Sequence, residues 1–85
     1  MSCWVYVLES EATGRYYIGS AEDVGWRVGE HNGGRVNSTR PYCPWKLVHT
    51  EEHPDRAAAM RREREIKSKK SRRWIEYHLL KRRSE

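Results

Sequence analysis

The stretch RYYIGS (15–20) decides how this chain is read. Two tyrosines and an isoleucine suit a pleated surface, and the glycine that follows ends the run. Upstream, CWVYVLES (3–10) mixes β-branched and aromatic residues over one strand length, and EATG (11–14) supplies a turn between the two runs. Together they predict a β-hairpin. Ser20 precedes AEDV with Asp23 three positions on, a capping-box-like start to a helix. That helix should reach about Asn32, because Gly33-Gly34 is a strong stop. Gly25 and Gly29 inside it each cost roughly 1 kcal/mol relative to alanine.

Beyond the glycines, RVNSTRPYCP (35–44) is turn-rich and WKLVHTE (45–51) is a third strand candidate. Asp55 in HPDR is a candidate N-cap for a helix over RAAAMRREREIKSKK (56–70). SRRWIEYHLLKRR (71–83) follows, with Ser71 as cap and Trp74, Ile75, Tyr77, His78 and Leu79 expected on one side. The order β-β-α-β-α-α gives an α+β fold: a small three-stranded, mainly antiparallel sheet flanked by helices, in one domain over 1–85.

Eighty-five residues leave room for only a modest core. Hydrophobic residues make up 36% and charged residues 34%, and no apolar run approaches the roughly 20 residues of a spanning helix. The N-terminal MSCWVYVLES lacks the basic flank and long apolar stretch of a signal peptide. Cys3 and Cys43 lack the CxxC spacing of zinc or redox sites, so both are expected as small hydrophobes in a reduced, cytoplasmic protein. Residues 1–56 carry six basic and eight acidic side chains, and residues 57–85 carry eleven and four. The first part is therefore −2 and the second +7, an asymmetry that fits a polyanion partner or a solvated helical face.

On a 3.6-residue wheel Val24, Val28 and His31 share one face of the first helix, with Arg27 at its edge. An arginine there either meets an anion or snorkels from the rim of the core. In the fourth element Ala59, Glu63 and Ile66 follow i, i+4, i+7, so Glu63 takes an apolar-face position. An inward carboxylate needs a cation, either a metal ion or a basic side chain such as Arg27. Its neighbour Glu65 faces outward, within reach of Arg61 and Lys69. Tyr6 and Tyr17 are read as hairpin core or as chemistry. Trp26 lies opposite the Val24–Val28 face, an exposed aromatic.

In combination these positions resemble the small stand-alone members of the GIY-YIG nuclease family, over about Cys3 to Leu80. The first motif falls on WVY (4–6) and the second on YIG (17–19); RVGEH (27–31) matches the arginine and histidine of the first helix, and AAMRRERE (58–65) offers the glutamate. TRPYCPWKLVH (39–49) and REIKSKKSRRWIEYHLL (64–80) are also similar. Trp4-Val5 replaces Gly-Ile of the first motif, and no asparagine follows Asn37.

The resemblance implies a divalent-metal-dependent endonuclease acting on DNA, or RNA, structure-selectively or with weak sequence specificity. The alternative is a nucleic-acid-binding module of the same fold that cuts poorly. Glu63 would hold one Mg2+ or Mn2+ ion, and Arg27 would clamp the scissile phosphate. Tyr6 or Tyr17 would take a proton from the attacking water, with His31 assisting. Lys67, Lys69, Lys70, Arg72 and Arg73 at the junction of the last two helices, and Arg40 in the loop before the third strand, are the expected nucleic-acid contacts. A monomer or weak dimer, with a protein partner supplying targeting and no membrane association, completes the expectation.

Overall fold

The eight residues Cys3–Ser10 form β1, the middle strand of a sheet ordered β2-β1-β3. Being central, β1 is covered on both faces, which is why its sequence is apolar almost without interruption. The computed structural model describes residues 2–81. The domain expected over 1–85 therefore includes Met1 and residues 82–85, which lie outside the described residues, as do Arg82 and Arg83 of the last predicted helix.

β2 is Tyr16–Ala21 and β3 is Trp45–His53, and both pair antiparallel with β1. A register shift at Val7/Leu8 bends the β1–β3 ladder. The predicted turn is present: Ser10 Oγ accepts from Ala12 and Thr13 N–H, and Gly14 takes a left-handed φ of +78°.

α1 spans Val24–Asn32 and is capped by Asp23, whose carboxylate accepts from Trp26 N–H at 2.9 Å. The sequence pointed to Ser20 as the helix start; instead Ser20 and Ala21 continue the strand, and Ser20 uses its hydroxyl on Glu63. Asn32 ends the helix and exchanges two hydrogen bonds with the Trp45 backbone, tying α1 to the start of β3. A short 3₁₀ turn, Arg40–Tyr42, interrupts the connection.

α2 is Arg56–Ser68, with Asp55 capping it as expected. Ser71 caps a last short helix, α3 (Arg72–Trp74), which continues as a π turn over Ile75–Leu79. Here the single apolar side foreseen from sequence is corrected. Ile75 and Leu79, four apart, enter the core, whereas Tyr77 lies two positions from each and is 62% exposed. Glu65 pairs with Arg62 rather than with Arg61 or Lys69.

Two apolar layers result. Cys3, Val5 and Val7 pack with Ala59 and Ile66 of α2 and with Ile75 and Leu79. On the opposite face Tyr6, Leu8 and Trp45 pack against Tyr17, Val24 and Val28 under α1. None of the helices among the described residues is long and apolar enough to cross a membrane.

Candidate active site

Strand alternation sends Tyr6 to the α1 side of the sheet, where it is 1% exposed. It pairs across the ladder with Gly19. A Cβ at that glycine would lie 2.6 Å from the Tyr6 hydroxyl oxygen and 3.1 Å from the Tyr17 ring. The glycine in RYYIGS is therefore a close-approach residue: it leaves room for the end of the Tyr6 side chain. Tyr17 shares this face, while Tyr16 and Ile18 pack with the α2 layer.

α1 supplies the other groups. His31 is fully buried, with Nε2 3.1 Å from the Tyr6 hydroxyl and Nδ1 2.8 Å from Thr39 Oγ1. Its ring centroid lies 4.7 Å from that of Tyr17. One turn earlier Arg27, half-buried, stands close enough to the Tyr6 hydroxyl to act on its pKa. Among the described residues no carboxylate ion-pairs with Arg27.

Burial pushes the Tyr6 phenol up to about 12, with Arg27 opposing it. Burial, then the nearby Arg27 charge, lowers the His31 pKa below its ordinary value. The pair thus rests as neutral phenol and neutral imidazole.

Glu63 arrives from the other layer. Its side chain is 20% exposed and accepts hydrogen bonds from Ser20 Oγ at 2.8 Å and Lys67 Nζ at 2.6 Å. Ser20 is the residue after Gly19 on edge strand β2, so α2 brings the carboxylate to the rim of the sheet beside the Tyr6–Gly19 pair. Its charge contributes, as a minor cause, to the raised Tyr6 pKa. The pairing with Arg27 left open from sequence does not form.

The donor set bears on a metal. Among the described residues no three Asp, Glu, His or Cys side chains gather as a cation cage. A lone partly exposed carboxylate nevertheless fits Mg2+, which uses one or two carboxylates and fills its shell with water and phosphate oxygens.

The basic residues divide. Lys67, Lys70 and Arg72 line a cleft of about 380 Å³ along the β2 edge, together with Arg15 and Tyr16. Lys69 turns toward the Trp74 ring, its Nζ 5.4 Å from the centroid. Arg73 is exposed. Arg40 stands apart in the 3₁₀ turn, hydrogen-bonded to Asn37.

Sequence reasoning missed Arg15, Ser20 and Thr39. Arg15 carried a signal, since it opens the quoted stretch and hairpin closure puts it beside Arg72. Ser20 was read as a cap, and nothing in the local pattern marks Thr39.

A family model of the GIY-YIG catalytic domain matches residues 2–83. The chain belongs to the GIY-YIG family. Its place there brings a nuclease-type function and a nucleic-acid substrate. Within the family it is similar to a UPF0213 protein of Halobacterium salinarum, 47% identical over 64 residues, covering 74% of this chain and 82% of that one. It also resembles a UPF0213 protein of Streptococcus sanguinis, 39% identical over 67 residues, covering 78% and 76% respectively. A solution NMR structure of a UPF0213 protein from Bacillus halodurans matches with a TM-score of 0.57 and 38% identity, over 91% of this chain and 81% of that one. This GIY-YIG chain thus shares its α+β architecture with an experimentally determined relative.

Proposed function

We propose that this GIY-YIG protein is a divalent-metal-dependent endonuclease that hydrolyses phosphodiester bonds in DNA, structure-selectively or with weak sequence preference. The supporting observation is the Tyr6–His31 contact at 3.1 Å, with an Arg27 beside it that no carboxylate among the described residues neutralises.

Phosphoryl transfer needs a positioned nucleophile and charge stabilisation rather than elaborate covalent chemistry. Arg27 donates its fork of N–H groups to the non-bridging phosphate oxygens. As the water oxygen forms its bond to phosphorus and the P–O3′ bond breaks, the water proton moves to the Tyr6 oxygen. The phenolic proton passes at the same time to His31 Nε2. A phenol near 12 does not ionise alone at neutral pH, so the two transfers are concerted. Tyr17, half-buried against His31, lines the approach. Glu63 would hold a Mg2+ or Mn2+ ion, whose Lewis acidity stabilises charge on the departing oxygen. The leaving 3′ oxygen is protonated from solvent.

Arg15, Lys67, Lys70 and Arg72 meet backbone phosphates in the cleft beside Glu63, a sequence-independent and salt-sensitive mode of binding. Trp26, 62% exposed one residue before Arg27, offers a face for an unpaired base. The chain acts as one domain, a monomer or weak dimer, in the cytoplasm and with targeting left to a protein partner.

The test is cleavage of labelled single-stranded, duplex, flap and branched DNAs with Mg2+ or Mn2+, beside Glu63→Ala and chelator controls. Metal-dependent cutting that Glu63→Ala abolishes is expected. Binding without cutting across the panel would replace this reading with that of a binding module.

A further inference from the structure

The polar chain through the site has a direction, and its Val36 end sets it. At one end Arg27, which can only donate, stands close enough to the Tyr6 hydroxyl to lower its pKa. At the other end the Val36 carbonyl can only accept, and Thr39 Oγ1 lies 3.3 Å from it. A threonine hydroxyl carries one proton. With that proton given to Val36 O, the 2.8 Å contact between Thr39 Oγ1 and His31 must be filled by an Nδ1–H donor. His31 Nε2 then presents its lone pair to the Tyr6 hydroxyl at 3.1 Å. Each group donates to the next, from Tyr6 through His31 and Thr39 to Val36.

We infer that Thr39 is a positioning residue for the reaction: it holds His31 as the Nδ1–H tautomer, so that Nε2 is free to receive the Tyr6 proton. The inference rests on the nuclease reading for its use, though not for the tautomer itself. The arrangement also suits the product of the transfer. Once Nε2 is protonated the imidazolium has two donors, of which Nδ1–H still meets Thr39 and Nε2–H meets the Tyr6 oxygen, itself reprotonated by the water. No atom has to turn during the step. Without the hydroxyl the neutral ring is free to carry its proton on Nε2, where it blocks acceptance from Tyr6.

Thr39 is suited to this duty because it is 2% exposed and its backbone is held independently of its hydroxyl. Its N–H donates to Val36 O at 3.2 Å, and its carbonyl accepts from Trp45 Nε1 at 3.0 Å. Thr39→Val keeps the shape and those backbone bonds while deleting the hydroxyl. Thr39→Ser keeps the hydroxyl and removes only a methyl group.

Long-range proton–nitrogen NMR of the imidazole rings reads the tautomer in the free protein, with no need for turnover. Wild type and Thr39→Ser are expected to show His31 protonated on Nδ1, and Thr39→Val to shift toward Nε2–H. In single-turnover cleavage Thr39→Val should slow the cutting step tenfold or more at unchanged DNA affinity, with Thr39→Ser near wild type. An Nε2–H tautomer in the wild type, or a tautomer unmoved by Thr39→Val, would overturn the inference. So would a moved tautomer with an unchanged cutting rate. The expected tautomers in a wild type that cuts no DNA would confirm Thr39's hold on His31 and overturn the nuclease reading instead.

Discussion

Two polar networks containing histidine lie on opposite faces of one sheet, and they are built differently. On the α2 face Glu51 of β3 is surrounded: Arg62 reaches both carboxylate oxygens at 2.9 and 3.1 Å, His49 lies at 2.9 Å and His53 at 3.3 Å. Arg62 also bridges to Glu65 at 2.9 Å. Each charge there meets its opposite. On the α1 face Arg27 has no carboxylate partner among the described residues, and the hydrogen bonds run in one direction toward Val36. Burial alone would raise the Glu51 pKa, but the bonds from Arg62, His49 and His53 outweigh it and hold the carboxyl at about 2. A closed network holds two layers together. An open one keeps a cation ready for an anion that is not part of the chain.

The comparison breaks first at Arg27. Arg27→Ala should lower single-turnover cleavage by roughly a hundredfold or more, the scale of losing one preorganised charge-stabilising donor. Its denaturant midpoint should stay close to wild type, because no ion pair among the described residues is lost. A cleavage rate within a few-fold of wild type would show that the α1 face is not where phosphate is held.

Gly19→Ala sharpens the point, since it strikes geometry rather than charge. The added methyl would sit 2.6 Å from the Tyr6 oxygen, so about 1–3 kcal/mol of overpacking strain is expected in urea unfolding. Cleavage should fall as Tyr6 shifts away from His31.

Glu51→Gln should do the reverse, costing about 1–3 kcal/mol of stability as Arg62 loses its charged partner while leaving cleavage of the folded enzyme near wild type. The same carboxyl sets an acid limit. Its pKa is lower in the folded state than the ordinary value of 4.5. The stabilisation is therefore complete above that value and is lost as pH falls toward 2. Urea midpoints of wild type should decline through that window more steeply than those of Glu51→Gln.

The smallest effect is at the cleft. Lys70→Ala should weaken DNA binding modestly and reduce the slope of log K against log salt by about one. Lys69→Ala, whose side chain turns to Trp74, should leave that slope nearly unchanged.

Much of this arrangement was legible in the chain. The paired runs at 3–10 and 15–20 announced a hairpin, and Asp55 and Ser71 cap the helices their positions suggested. Val24, Val28 and His31 recur on one face, which marked His31 as inward. What escaped reading depends on contacts between distant segments. Ser20 was taken as a helix cap because its spacing to Asp23 suits one, yet Glu63, forty-three residues on, claims its hydroxyl. Thr39 gains meaning only when the turn after α1 folds back over His31. The basic cluster was visible as composition, but which of its members line the cleft depends on how α3 leaves α2. A π turn likewise decides that Tyr77 faces out.

Single-turnover cleavage of a labelled branched DNA in Mg2+ or Mn2+ would be measured for wild type, Tyr6→Phe and Glu51→Gln, at matched bound DNA. Loss of the general base costs roughly 10²–10⁴ in rate, so Tyr6→Phe should bind and scarcely cut, while folded Glu51→Gln cuts as wild type does. Tyr6→Phe cutting at the wild-type rate would contradict the central claim that the α1 face of the sheet is the hydrolytic centre.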